Sequence, residues 1–341
     1  MLARGVHAAL LALPPELSHR LGLGFLRFVR RVEVPDGRLR VRTKFGELAN
    51  PVGLAAGFDK TGAHLADLEK LGFGYLVAGT FTREPRKGNP RPRLVRLRSE
   101  GALLNAMGFP NPGMDAALES LRRSRPSRAP VVVSVSGVRL EDMTYCYERA
   151  QEVADAVEVN VSSPNTPALR EYLKGSAFKD LCHAIAPVKR RPTYLKVPPP
   201  VQEIWDAVLS ALRAWVDAGF EGVTAINTLL VRDGRLSTGF GGLSGRPLLE
   251  LTFRAVSSIR SEFGEALEVN AVGGVFSGRD ALGLLARGAT TVQLYTALVY
   301  RGPFVVREIL REVVEELEKS GCGGLEELRG SVALGRDQSH P

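Results

Sequence analysis

Short apolar runs alternate with helical patterns along most of the chain, and this alternation constrains the fold more than any other feature. Strands this apolar are typical of a parallel sheet that helices cover on both faces. Eight such units in series predict an α/β fold, a (β/α)8 (TIM) barrel. The predicted strands are 52–56, 75–79, 131–135, 156–161, 193–197, 222–226, 267–272 and 291–295. The predicted helices are 62–71, 143–153, 177–189, 201–218, 247–263, 278–287 and 304–319.

A doubly wound open sheet is the alternative, but no Gly-x-Gly-x-x-Gly follows the first predicted strand. Two further strand pairs interrupt the alternation. Residues 39–43 and 45–48 predict a small hairpin under the barrel floor, and residues 94–97 and 102–104 predict a hairpin over its mouth. A barrel keeps its chemistry on the loops that follow the strands. Functional side chains are therefore expected there.

The segment before the barrel reads as two amphipathic helices that meet at Pro14-Pro15. Such a basic, amphipathic pair fits an interfacial membrane anchor, and it also fits two helices packed on the main domain. We expect a small helical hairpin at 1–38, the barrel at 39–320, and a short helix and tail at 321–341. The apolar stripes are Leu2, Val6, Leu10 and Leu13, then Leu17, Leu21, Phe25 and Phe28.

Charge and cysteine content narrow the class of protein. The 341 residues carry a formal charge of +8, with a pI near 9.6. No basic motif interleaved with aromatic residues is present, so nucleic acid is not expected as a partner. Cys146, Cys182 and Cys322 are widely spaced and predict neither disulfides nor a metal site. We also expect no signal peptide and no transmembrane helix, since no apolar run reaches about 18 residues.

The loop 160–170 follows the fourth predicted strand and reads Asn-Val-Ser-Ser-Pro-Asn-Thr-Pro-Ala-Leu-Arg. Pro164 and Pro167 exclude a regular helix or ladder there. The carboxamides of Asn160 and Asn165 suit a planar ligand with amide edges. Ser163 could remove a proton, although a serine base needs a dry, closed pocket. A turn that merely caps the next helix is the alternative.

Two other strand ends carry residues suited to an anionic ligand. Lys196 lies in an apolar strand, where an unpaired ammonium is costly to bury, so either an anionic ligand or a structural ion pair is expected. The glycine-dense stretch 238–247 precedes a helix and predicts a loop. Backbone N–H groups of such loops commonly bind phosphate in barrels.

Asn-Val-Ser-Ser-Pro-Asn-Thr resembles the catalytic loop of dihydroorotate dehydrogenases, specifically the quinone-linked, membrane-associated class 2 form. In class 1 the position of Ser163 is typically a cysteine. The motif Gly-Leu-Ser-Gly-Arg-Pro at 242–247 belongs to the same resemblance. It implies oxidation of dihydroorotate to orotate in pyrimidine biosynthesis, with FMN as cofactor. Ser163 would take the C5 proton while hydride leaves C6 for the flavin, and Lys196 would offset the charge on the reduced ring.

The resemblance also implies the binding residues. Those for substrate are Lys60, Asn105, Ala106, Met107, Gly108, Phe109, Asn160, Asn165, Asn227 and Thr228. Those for FMN are Ala56, Gly57, Phe58, Asp59, Lys60, Thr80, Ser134, Asn160, Lys196, Ile226, Gly245, Gly274, Tyr295 and Thr296. Among the FMN residues, Ser134 replaces an asparagine of the family and Ile226 replaces a threonine. Among the substrate residues, Ala106 departs from the family's usual residue, as does Pro110 in the same loop.

His19, Arg96 and Tyr295 match residues that line the family's quinone tunnel. The resemblance therefore implies a membrane quinone as acceptor and a peripheral location on the cytoplasmic face of the membrane. Two rivals stay open. One is an enzyme linked to fumarate or NAD, and the other is an FMN-binding paralogue that no longer turns over dihydroorotate.

Overall fold

The computed structural model describes residues 2–173 and 176–329, and eight parallel strands in this part close into a barrel. Each strand pairs with the next in chain order, and the last pairs with the first. This closure confirms the predicted barrel and excludes the doubly wound sheet. The strands are β1 Val52–Asp59, β2 Tyr75–Phe81, β3 Val131–Val135, β4 Ala156–Asn160, β5 Thr193–Val197, β6 Gly222–Ala225, β7 Glu268–Val272 and β8 Thr291–Leu294.

Amphipathic helices pack around the barrel and bury their apolar stripes against the strands. Met114–Arg123 was not predicted, although Ala117, Leu118 and Leu121 form a buried stripe at helical spacing. The outer helices are Leu65–Leu68, Met114–Arg123, Leu140–Ala150, Ala177–Ile185, Gln202–Asp217, Leu249–Phe263, Gly278–Ala286, Thr296–Arg301, Val305–Ser320 and Leu325–Leu328.

The predicted helix at 62–71 is wrong in its first turn. The carboxylate of Asp59 accepts hydrogen bonds from the backbone N–H groups of Thr61, Gly62 and His64 at 2.8–3.0 Å. These bonds hold a turn, because an acceptor so placed competes with helical hydrogen bonding. The α-helix begins only at Leu65.

The hairpin under the barrel floor is present as Val41–Thr43 paired with Gly46–Leu48. Phe45, at its turn, packs edge-on against Tyr75 and Tyr194, with ring centroids 5.4 and 5.7 Å apart. Aromatic rings therefore fill the closed end of the barrel, which leaves the other end for a ligand.

Four antiparallel strands form a second sheet over the barrel mouth, here called the mouth sheet. The predicted hairpin supplies Leu94–Leu97 and Ala102–Asn105. The stretch predicted as a glycine-dense loop is instead largely the strand Phe240–Gly245, which pairs with Ala102–Asn105 and with Leu229–Arg232. Glycine allows this strand to lie close to Thr228, since a Cβ at Gly242 would lie 2.0 Å from Thr228 Oγ1.

Two helices precede the barrel, α1 Leu2–Ala12 and α2 Pro15–Phe25. Both predicted helices are present, and they break at the two prolines. Helices α1 and α2 lie beside the mouth sheet and cover the open end of the barrel. The predicted tail at 330–341 lies outside the described residues.

Candidate active site

One cavity of about 810 Å³ lies between the open end of the barrel, the mouth sheet and the helices α1 and α2. Most of the side chains predicted for substrate, flavin and quinone line it, although they come from every part of the chain. These are His19, Ala56, Gly57, Phe58, Lys60, Thr80, Arg96, Asn105, Met107, Gly108, Phe109, Asn160, Ser163, Asn165, Lys196, Ile226, Asn227, Thr228, Gly245, Gly274, Tyr295 and Thr296.

The loop after β4 places Ser163 at the cavity wall with only 6% of its surface exposed. Pro164 directly follows it and also lines the cavity. The hydroxyl is thus shielded from bulk solvent but still faces the cavity. A proton acceptor at this position can work only on a ligand that fills the cavity and excludes water.

Four carboxamides connect the loop to the surrounding strands. Asn165 Nδ2 donates to Asn105 Oδ1 at 3.0 Å, and Asn105 Nδ2 donates to the carbonyl of Gly242 at 3.1 Å. Asn227 Nδ2 donates to Asn160 Oδ1 at 3.3 Å. The amide planes are therefore held by one another, which leaves their remaining donors and acceptors for a planar ligand.

Lys196, on β5, is 6% exposed and has an acidic neighbour. Its Nζ lies 3.4 Å from Glu158 Oε1 on β4, and Glu158 is fully buried. The ion pair that was one alternative for this lysine therefore exists. At 3.4 Å the hydrogen bond is long, so the ammonium can still contact a ligand in the cavity.

Glycine backbone forms one end of the cavity. Gly274 has φ +83°, and a Cβ there would lie 2.4 Å from the backbone N of Leu249. Gly245 has φ +102°, and its Cβ would lie 2.2 Å from the carbonyl of Gly101. Both lie near the N-terminus of the helix Leu249–Phe263, which is the usual place for a phosphate in barrels.

Polar contacts attach α1 and α2 to the barrel mouth. Both oxygens of Glu16 accept from Arg93, at 2.9 and 3.0 Å, and from Arg91, at 3.1 Å. The hydrogen bonds from Arg93 lower the pKa of Glu16 to about 2. Burial opposes this shift in part, and the hydrogen bonds from Arg91 add to it. Arg96 Nη1 donates to the carbonyls of Leu11 and Leu13 at 3.0 and 2.6 Å, at the end of α1.

Three aromatic side chains run from α2 towards the barrel. The rings of His19 and Phe58 meet edge-on at 4.9 Å, and those of Phe58 and Tyr295 at 5.4 Å. Tyr295 donates from its hydroxyl to the carbonyl of Gly57 at 3.3 Å. An apolar route bordered by two polar groups thus leads from the N-terminal helices to the strand ends.

Three predicted side chains lie away from the cavity. Asp59 is used by the turn after β1. Ala106 packs with Leu104 and Leu236 under the mouth sheet. Ser134 is fully buried and reaches the cavity only through Thr80, whose hydroxyl is 2.9 Å from its own. These three residues therefore do not line the cavity, and their predicted contacts with a ligand stay predictions.

Sequence reasoning missed two buried polar residues at the site. Gln293 lines the cavity, and its Oε1 has no hydrogen-bond partner among the described residues. Glu158 supports Lys196 from below the cavity. The sequence could have indicated both residues in the way that it indicated Lys196, since each is a polar residue within an apolar strand.

The model of the family described as dihydroorotate dehydrogenase matches residues 38–317. This chain belongs to the dihydroorotate dehydrogenase family. Relatives named "Dihydroorotate dehydrogenase (quinone)" come from Thermus thermophilus, 37% identical over 95% of this chain and 99% of the relative, and from Gloeobacter violaceus, 36% identical over 93% and 95%.

A relative of the same name from Roseiflexus is 39% identical over 83% of this chain and 82% of its own length. Solved structures agree. The DHODH of Eimeria tenella in complex with ferulenol superposes with a TM-score of 0.86 and 27% identity, covering 94% of this chain and 96% of that one. A solved structure of a dihydroorotate dehydrogenase thus shares the overall fold described here over most of its length.

Among the described residues, no helix has the length and apolar character needed to cross a bilayer. Within the same ranges, His, Cys, Asp and Glu side chains form no group of three that could bind a metal ion.

Proposed function

We propose that this chain is a quinone-linked dihydroorotate dehydrogenase, which oxidises (S)-dihydroorotate to orotate in de novo pyrimidine (UMP) biosynthesis. One observation carries the proposal. A single cavity contains a buried serine, a buried lysine and four carboxamides, and it extends without interruption to His19 on α2. A chemical site and a second entrance in one cavity suit an enzyme with two substrates.

FMN is the cofactor, and the residues present fit it. Gly245 and Gly274 leave no room for a Cβ, because their backbone packs against Gly101 and Leu249, and this brings the backbone of both loops close to a helix N-terminus that favours a phosphate. The unpaired Oε1 of Gln293 and the ammonium of Lys196 offer polar contacts to a heterocyclic ring. Bound FMN supplies a hydride acceptor. The side chains to hold it are Ala56, Gly57, Phe58, Lys60, Thr80, Asn160, Lys196, Ile226, Gly245, Gly274, Tyr295 and Thr296.

Ser163 acts as the general base and removes the proton from C5 of dihydroorotate. Its hydroxyl is a weak base in water, so the reaction depends on the near-complete burial of the loop. Substrate itself completes the closure by filling the cavity. Lys196 offsets negative charge that develops beside it during the oxidation.

The carboxamides orient the substrate ring. Asn105 and Asn165 bind each other on one side of the cavity, and Asn160 and Asn227 bind each other on another. Amide donors and acceptors match the edges of the pyrimidine ring, and orientation in a fixed frame lowers the barrier. Lys60, at the end of β1, faces the same cavity and pairs with the substrate carboxylate.

A quinone enters between α1 and α2, along the ring of His19 and towards Tyr295. Arg96 closes one side of this path by holding the end of α1. The helices associate peripherally with the cytoplasmic face of the membrane. Leu21 and Phe28 support this, since they are 47% and 68% exposed among exposed arginines.

Turnover measured with different electron acceptors tests whether the enzyme uses a quinone. With dihydroorotate as donor, we expect turnover with menadione or ubiquinone and none with fumarate or NAD. Turnover with fumarate or NAD but not with a quinone would contradict the quinone path. For the membrane, a variant that replaces both Leu21 and Phe28 by Ser should lose flotation with anionic liposomes while keeping turnover with soluble menadione.

A further inference from the structure

Glu158 is buried in the barrel wall beneath the cavity, and its carboxylate forms fewer hydrogen bonds than its two oxygens could accept. Its Oε1 accepts from Ser134 Oγ at 2.9 Å and lies 3.4 Å from Lys196 Nζ. Its Oε2 has no hydrogen-bond partner among the described residues. A carboxylate has about four acceptor sites, so this group is poorly satisfied for one that is fully buried.

Stability does not account for such a residue. Burying a charge is costly, and a buried ion pair recovers that cost only with good geometry and further hydrogen bonds. The pair has a long contact and an unsatisfied oxygen. The carboxylate therefore points to a function.

Glu158 contacts Lys196 directly and is connected to Asn160 through a chain of hydrogen bonds. Ser134 Oγ, which donates to Glu158, is also 2.9 Å from Thr80 Oγ1. Thr80 in turn accepts from Asn160 Nδ2 at 3.1 Å. The short side chain of Ser134, where the family has an asparagine, thus bridges the carboxylate and the carboxamide frame. Glu158 and Ser134 act as one unit.

We propose that Glu158 is a positioning residue that fixes Lys196 at the cavity wall and, through its negative charge, sets how strongly that lysine stabilises reduced FMN. The proposal rests on the proposed function. Lys196 faces the cavity, whereas Glu158 does not, so the carboxylate acts through the ammonium. In a low-dielectric wall, an anion 3.4 Å away offsets much of the ammonium's field.

The reduction potential of bound FMN tests this without any turnover. Glu158→Gln keeps the size of the side chain and an acceptor for Ser134 but removes the charge. The uncompensated ammonium should then bind reduced FMN about tenfold more tightly relative to oxidised FMN, a coupling of the size measured for close buried charges. We expect a more positive midpoint potential in a titration with a chemical reductant.

Glu268→Gln is the matched control. Glu268, on β7, is a partly buried carboxylate that accepts a hydrogen bond from Tyr194. It lies at the floor end of the barrel, where it also accepts from the backbone N–H of Lys44. Its neutralisation should leave the potential unchanged. Glu158→Asp keeps the charge and retracts it by one methylene, so it should give a smaller shift in the same direction as Glu158→Gln.

An unchanged potential in Glu158→Gln, with FMN bound and the fold intact, would overturn the proposal. If that variant does not fold, Glu158→Asp decides in the same way. Failure of the proposed function gives a different result, since a protein whose FMN is not reduced by dihydroorotate can still be titrated with the chemical reductant. A wild-type protein that binds no FMN would contradict both.

Discussion

The imidazole of His19 in α2 donates a hydrogen bond of 2.9 Å from Nε2 to the backbone carbonyl of Phe58 at the end of β1. Because a carbonyl can only accept, Nε2 carries the proton. Burial, followed by the positive charge of Lys60, lowers the pKa of His19 to about 3. This neutral histidine joins the N-terminal helices to the barrel wall.

Acid should therefore weaken the docking of α2. When the helices detach, the pKa of His19 returns towards 6.5, so the detached form binds a proton below that pH while the docked form does not until about pH 3. The free energy of docking should fall by up to about 1.4 kcal/mol per pH unit in this window. Between pH 7.5 and pH 5, Glu16 stays mostly ionised in both forms, since its ordinary pKa of 4.5 also lies below this range.

Hydrogen exchange of α2 at pH 7.5 and pH 5 measures this effect. The wild-type protein should lose protection at pH 5, and His19→Asn should show a smaller pH dependence. His183→Asn, at an exposed position on an outer helix, should behave like the wild type. Equal pH dependence in all three proteins would refute the assignment to His19.

Arg93 should hold the N-terminal helices more firmly than Arg91. Both bind Glu16, but the Arg93 side chain is 10% exposed and that of Arg91 is 73% exposed. Exposed ion pairs contribute little, whereas a buried partner cannot be replaced by water. Arg93→Ala should raise the exchange rate of α2 by at least about tenfold, and Arg91→Ala should change it little. A larger effect at Arg91 would contradict this ranking.

Gly274→Ala should weaken FMN binding. The new methyl group would lie 2.4 Å from the backbone N of Leu249, and a non-glycine residue at φ +83° adds strain of about 1–3 kcal/mol. We expect flavin to be lost on gel filtration, with the circular dichroism spectrum of the barrel retained. Gly24→Ala, where a Cβ meets nothing within 4 Å, is the control and should keep its flavin.

Ser163→Ala should keep FMN and lose turnover by about 10²–10⁴-fold, the usual contribution of a general base. The substitution removes one hydroxyl from a buried loop and leaves the carboxamides in place, so substrate affinity should change little. Stopped-flow reduction of the flavin separates the two effects. Near-normal reduction would exclude Ser163 as the base.

The apolar strands predicted the barrel because each is buried on both faces, and 131–135 and 193–197 agree with the structure to the residue. Local hydrogen bonding explains the errors. Asp59 delays a helix, which periodicity alone cannot reveal. The strand Phe240–Gly245 is dense in glycine and is stabilised by its pairing with the distant segment Ala102–Asn105, so no local signal predicts it.

Most residues of the site were predicted from the resemblance of motifs to a known family, and fewer from the chemical properties of the residues alone. Motifs placed Asn105, Asn160 and Lys196 at strand ends, and the fold brings them to one cavity. Ser134 was predicted to bind FMN because its position matches an asparagine of the family, but its side chain does not line the cavity and binds Glu158. Such a partner becomes visible only when two strands are placed side by side.

Anaerobic reduction of the bound flavin is the most direct test of the central claim. The purified protein should show flavin absorbance that bleaches when dihydroorotate is added without oxygen, and a quinone should restore it. This result would establish both half-reactions at the cavity described here. A yellow protein that dihydroorotate never bleaches would contradict the account and would favour a paralogue that binds FMN without this chemistry.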